Sequence, residues 1–167
     1  MKKIFKLECC RNNSKILKGC FLFAWLSSVV LFAACGKEDD DPFANPDPVI
    51  ELKAVTPTTA VEFSDSVVFT IYYRDNNGDL GDNNPAVKNL FLKDNRIGIE
   101  YSYRIQQLAP TGSNVAIEGN LNVVLNTVAR TDTSLSQESA TFSLYVKDRA
   151  GNKSNVVTSG PIVIVPQ

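Results

Sequence analysis

From Val49 onward the apolar residues of this chain recur at every second position, and that spacing restricts it to strands burying one face each. In SVVFTIYYRD (66–75), Val67, Phe69, Ile71 and Tyr73 fall on one side, with Val68, Thr70, Tyr72 and Arg74 on the other. In SATFSLYVKD (139–148), Phe142, Leu144 and Val146 alternate with Thr141, Ser143, Tyr145 and Lys147. In GNLNVVLNT (119–127), Leu121, Val123 and Leu125 alternate with Asn122, Val124 and Asn126. Strict alternation of β-branched and aromatic residues with polar ones is the pattern of half-buried antiparallel strands. The same reading places further strands over 49–55, 88–93, 97–106 and 155–165. No stretch in this part of the chain keeps a helical period for three turns.

Turn signals separate these runs: Asp94-Asn95, Pro110-Thr111-Gly112 and Ala150-Gly151-Asn152. About seven short strands with turns at this spacing predict an all-β domain over 49–167, an immunoglobulin-like antiparallel β-sandwich. The Cys-Trp-Cys arrangement of antibody domains is missing, so the expectation rests on strand count and turn spacing.

The first 48 residues are of another kind. Lys2, Lys3, Lys6, Arg11, Lys15 and Lys18 face a single acid, Glu8, and an apolar run from Cys20 leads to Ala33-Ala34-Cys35. A basic start, a short apolar run and small residues before a cut site describe a secretory signal peptide over 1–34. The run is shorter than the roughly 20 residues a membrane-spanning helix needs. LFAAC resembles the bacterial lipobox, with Phe32 where Leu is usual and Leu31 one place earlier. The resemblance implies that Cys35 becomes the lipidated first residue and that the protein is held to a membrane. Residues 35–48 then form a tether; GKEDDDPFANPDP offers five acids, three prolines and almost nothing to bury. At about 3 Å per residue it would hold the domain about 40 Å from its anchor. The acids directly behind Cys35 resemble the surface-export signal of Bacteroidetes lipoproteins, which implies an outer-membrane protein facing the cell exterior.

Removing 34 of the 167 residues leaves 133, one domain plus a tether and enough for a core. The chain has 17 basic and 18 acidic residues. The leader takes six basic and one acidic with it, so the mature form stands at about −6, the wrong sign for a nucleic-acid partner. Cys9, Cys10 and Cys20 also leave with the leader, and the chain contains no His. A disulfide, a thiolate or imidazole metal site and any His-activated nucleophile are thereby excluded from the mature domain.

Two further segments carry a resemblance. VKDRAGNKSN (146–155) is similar to the hairpin between the last two strands of bacterial Ig-like domains. Together with YYRDNNGDLGD (72–82) it resembles a group of Bacteroidetes surface lipoproteins, a likeness covering most of 49–165 and implying no particular activity.

The most charged loop is DNNGDLGD. Asp75, Asn77 and Asp79 set side-chain oxygens at alternate positions, as calcium loops do, and Asp82 could add another carboxylate. An EF-hand loop wants Gly sixth and Glu twelfth, where this chain has Leu80 and Ala86. The other reading is a turn in which Asp and Asn bond their own backbone and Gly78 and Gly81 take positive φ. Loops that follow the second and sixth strands of such a sandwich emerge at one pole, so Asp148 and Asn152 are expected to face the 75–82 loop. That pole, flanked by Arg74, Lys147 and Arg149, is the expected functional end. Calcium remains one reading of it. Tyr72, Tyr101, Tyr103 and Tyr145 suggest an aromatic platform for a glycan or peptide, against ordinary sandwich packing. Ser134–Ser139 reads as a polar loop with no base beside its hydroxyls and no G-x-S-x-G elbow.

The expectation is therefore a lipid-anchored, non-catalytic binding or structural module, its partner a glycan, a peptide or an outer-membrane protein. A small hydrolase using carboxylates and a ligand-free spacer are the rivals.

Overall fold

A computed structural model gives the fold of residues 46–167. The expected leader, Cys35 and most of the tether lie outside the described residues. Ten strands follow in chain order: β1 Val49–Thr56, β2 Thr59–Val61, β3 Val67–Asp75, β4 Leu90–Asp94, β5 Glu100–Tyr103, β6 Ile117–Leu125, β7 Glu138–Ala140, β8 Phe142–Val146, β9 Val157–Thr158 and β10 Ile162–Val165. No helix occurs among the described residues. The protein is an all-β, immunoglobulin-like sandwich, as the alternation predicts.

The strands form sheets of order β1-β3-β6, β5-β4-β8-β9 and β2-β10-β7. All pairings are antiparallel except that of β2 with β10. The second and third sheets share two chain runs. One is 138–146, broken at Thr141; the other is 157–165, broken at Ser159-Gly160-Pro161. These two breaks and the unexpected short strand β2 raise the expected seven strands to ten. The other expected strands differ only at their ends; the run over 97–106 contracts to Glu100–Tyr103 because Asp94–Gly98 forms a turn, Gly98 N–H donating to the Asp94 carbonyl at 2.8 Å.

The alternation is read out directly in burial. In β3, Val67, Phe69, Ile71 and Tyr73 are buried and the residues between them half-buried. Phe142, Leu144 and Val146 of β8 are buried from the other layer. Phe69 and Phe142 meet edge to face across the core, ring centres 5.4 Å apart at 66°. Burying each ring contributes about 1.5–3 kcal/mol.

Where the ladders break, polar side chains take the place of backbone groups. The Asn89 side chain, 4% exposed, accepts from Ile105 N–H at 2.6 Å and donates to the Ile105 carbonyl at 3.2 Å. Asn155 does the same for both backbone groups of Ile50, each at 2.8 Å. Ser154 Oγ accepts from Val146 N–H and Ser159 Oγ from Phe142 N–H. A buried N–H left unpaired would cost about 1–3 kcal/mol, so each of these residues keeps a strand break tolerable.

In the seven-strand form a fourth strand pairs with the outer edge of the strand corresponding to β6. Here the chain between β5 and β6, residues 104–116, forms no strand. β6 is therefore an edge, beside a cavity of about 390 Å³ lined by Leu90, Tyr103, Ile105, Leu108, Leu121 and Val123 among others.

Candidate functional site

The expected pole exists. β3 ends at Asp75, and the loop after it meets the loop after β8 through an antiparallel bridge between Leu80 and Asp148. Leu80 is fully buried, so the residue occupying the sixth calcium-loop position serves as a plug in the core. Arg149 fastens the two loops. Its backbone N–H donates to the Asp79 carbonyl at 3.1 Å, and its guanidinium donates to the carbonyls of Gly81 at 2.8 Å and Gly78 at 3.2 Å.

Gly78 and Gly81 take φ of 72° and 86° as the turn reading requires. Space is as restrictive as angle: a Cβ on Gly81 would stand 2.3 Å from the Gln106 carbonyl oxygen, and one on Gly78 2.4 Å from that of Val115. The loop is thus packed against segment 104–116 by its backbone.

The oxygens proposed as cation ligands are mostly engaged within the chain. Asp75, wholly buried, accepts from Leu80 N–H at 2.7 Å and from Asn77 N–H at 3.4 Å. Asn77 Oδ1 accepts from Asp79 N–H at 3.2 Å, and Asp82 Oδ1 from Asn84 N–H at 2.7 Å. Asp148 accepts from the backbone and side-chain nitrogens of Asn152, each at 2.8 Å. These are the Asx turns by which such residues organise tight loops. Among the described residues no three His, Cys, Asp or Glu side chains are grouped so as to hold a metal ion.

Asp79 is the exception in this network. Its Oδ1 is buried without a hydrogen-bond partner. Burial, then the charges of Asp148 and Asp75, push its carboxyl above the usual range, with Arg149 and the Ala150 N–H opposing. Asp79 thus feels both Asp148 and Asp75, while Asp82 turns to its own loop.

The four tyrosines do not form one platform. Tyr101 and Tyr103 pack against the core, where burial raises the Tyr103 hydroxyl. Tyr72 lies on the outer side of β3, donating to Glu118 at 2.6 Å. Tyr145 lies on the outer side of β8 and stacks on Phe91 of β4, ring centres 4.8 Å apart at 14°. Of the 134–139 segment, Glu138 and Ser139 belong to β7.

Residues that the sequence reading missed form the buried ion pairs. Arg130 clamps Glu62 through two hydrogen bonds, at 2.8 and 3.0 Å, and Arg96 joins Asp94 and Glu138. Asp94 and Arg96 share a turn, but Arg130 and Glu62 lie 68 residues apart and Arg96 and Glu138 42 apart, and no local pattern joins those.

Comparison with models of known protein families gives no match, and comparison with characterised protein sequences gives none either. Among solved structures, the chain is similar to a crystal structure of a mutant SrpA adhesin from Streptococcus sanguinis. The identity is 22% and the TM-score 0.35, over 74% of this chain and 58% of that one.

Proposed function

We propose that the protein is a lipoprotein anchored through Cys35, with signal peptide 1–34, tether 35–48 and a non-catalytic Ig-like binding module over 49–167 displayed outside the outer membrane. The observation that carries the non-catalytic reading is where the loop carboxylates are spent. Asp75, Asp82 and Asp148 accept hydrogen bonds from backbone N–H groups of their own loops. A glycosidase needs two carboxylates free to face a substrate across a cleft. The cavity beside β6 has an apolar lining broken by Arg104 and amide side chains, with no carboxylate. The interlocked loops suit rigid display, in which loops and sheet faces bind and nothing turns over.

Three measurements test this reading. Cys35→Ala should move the protein out of the membrane fraction or leave an unprocessed precursor; a variant still cut and still membrane-bound overturns the anchor. Protease added to intact cells should remove the wild-type domain, and full protection overturns surface display. Hydrolysis of a glycoside or ester panel that is abolished by Asp79→Asn would establish the hydrolase instead.

A further inference from the structure

The outer face of the β5-β4-β8-β9 sheet carries an arrangement that the loops do not explain. Phe91 and Lys93 of β4 point to the same side as Ser143 and Tyr145 of β8, since Phe91 pairs with Tyr145 and Lys93 with Ser143. Lys147 follows on that side, and an antiparallel bridge sets Lys153 opposite Lys147. Lys153 Nζ stands 3.8 Å from the Tyr145 ring centre and Lys147 Nζ 5.4 Å from that of Phe91. Each of the two stacked rings thus carries an ammonium group without neutralising it.

Neither ammonium is held in an ion pair among the described residues. Residues 49–167 hold 10 of the 11 basic residues beyond the leader, all but Lys37, and 12 of the 17 acids, so the domain stands at about −2. Among the described residues, Lys93, Lys147 and Lys153 make no ion pair; the recorded pairs belong to Lys53, Arg96 and Arg130. Glu100, the cross-strand partner of Lys93, stands on this face and accepts from the Tyr145 hydroxyl at 3.2 Å. A mildly acidic domain has gathered three exposed lysines on one sheet face against one carboxylate. Between Lys93 and Lys153 lies a depression of about 330 Å³, lined also by Asn95, Glu100, Ser143 and Tyr145, with Lys147 outside it.

We infer that this face binds an acidic polysaccharide, its uronate carboxylates on the three lysines and its hydroxyl groups on the polar side chains beside them. The inference rests on the reading of the protein as a binding module and names the class of ligand. Charge complementarity selects a polyanion. The hydroxyl and amide groups of Ser143, Thr158 and Asn95 bond to one another at 3.0 and 3.1 Å and can exchange hydrogen bonds with sugar hydroxyls. An acidic protein is a poorer fit, because protein interfaces centre on buried apolar side chains. So is a lipid surface, because the two half-buried rings are engaged with each other and with ammonium groups, whereas a membrane-binding face inserts its apolar side chains.

The test uses the full-length protein purified in detergent, titrated with polygalacturonate, neutral dextran, polyglutamate and phosphatidylglycerol vesicles. Polygalacturonate should bind best, and its affinity should fall as salt rises. Lys93→Gln combined with Lys147→Gln and Lys153→Gln should weaken it roughly tenfold or more, at an unchanged melting temperature to within a few degrees. The three Lys→Arg replacements, which keep the charge, should retain binding, and Glu100→Gln should tighten it. Equal affinity of the triple Gln variant, polyglutamate binding as tightly as polygalacturonate, or vesicle binding that falls with the triple Gln replacement overturns the inference. None of these outcomes touches the Cys35 anchor, so display and ligand class stand or fall separately.

Discussion

Alanine at Gly81 measures how tightly the 75–82 loop is set into the sandwich. Two costs add there. A φ of 86° is left-handed, which disfavours any residue with a Cβ by about 1–2 kcal/mol. The new Cβ would also stand 2.3 Å from the Gln106 carbonyl oxygen and 2.9 Å from its carbon, both backbone atoms that no rotamer change can remove. Overpacking of that kind costs about 1–3 kcal/mol, so Gly81→Ala should lose about 2–5 kcal/mol. At about 4 °C per kcal/mol for a domain of this size, Tm falls by about 8–20 °C. Gly112→Ala is the control: its φ is 80°, and a Cβ there meets nothing within 4 Å, so only the first cost applies. Both replacements change the entropy of the unfolded chain alike, and the difference between them isolates the contact with Gln106. Thermal melts of the two variants read it out. Equal losses at both positions would show that the loop does not lie against 106–107, and the rigid pole would go with it.

Two further predictions concern charge. Glu138 is held at about 2, against an ordinary 4.5, chiefly by the Thr131 hydroxyl, then by the backbone N–H groups of Thr131 and Asp132 and by Arg96. Its stabilising effect is complete above pH 4.5 and disappears as pH falls toward 2, so the Tm gap between wild type and Glu138→Gln should close over that window; a gap unchanged down to pH 2 contradicts the network. Asp79 has the opposite sign, since its raised carboxyl binds a proton more readily folded than unfolded, and stability declines as pH climbs above its ordinary 3.8. Asp79→Asn should therefore raise Tm at neutral pH and lose that advantage in acid. With the oxygens engaged as described, calcium and chelator should give the same wild-type melt; a calcium-dependent gain abolished by Asp79→Asn would restore the cation reading.

What was legible in the sequence followed from one physical fact: a strand with one wet face alternates. That gave every strand run but the short β2, with their inward faces and the outward side of Tyr72 and Tyr145. The Asx-rich loop was legible too, because tight turns demand Gly with positive φ and short side chains that bond their own backbone. The breaks at Thr141 and at Ser159-Gly160-Pro161 were not. A break depends on which neighbour a strand must serve, and the run from Glu138 to Val146 serves β10 on one side of Thr141 and β4 and β9 on the other. Nor could the tyrosines be sorted, since Tyr101 and Tyr103 share with Tyr145 a residue type but not a face.

The residues hardest to read were polar ones that look like loop and act as strand, and they also set the proposed binding face. Ser154 holds Val146 N–H, while Asn155 holds both backbone groups of Ile50. These two adjacent residues tie the chain after β8 to β8 on one side and to β1 on the other. Lys153, immediately before them, is thereby fixed opposite Lys147, its ammonium over Tyr145. A flexible hairpin would let Lys147 and Lys153 swing away from each other and from Lys93 into solvent. Here the side-chain bonds of Ser154 and Asn155 oppose that repulsion, so the cost of bringing the cations together is met during folding and not at the moment an anion arrives.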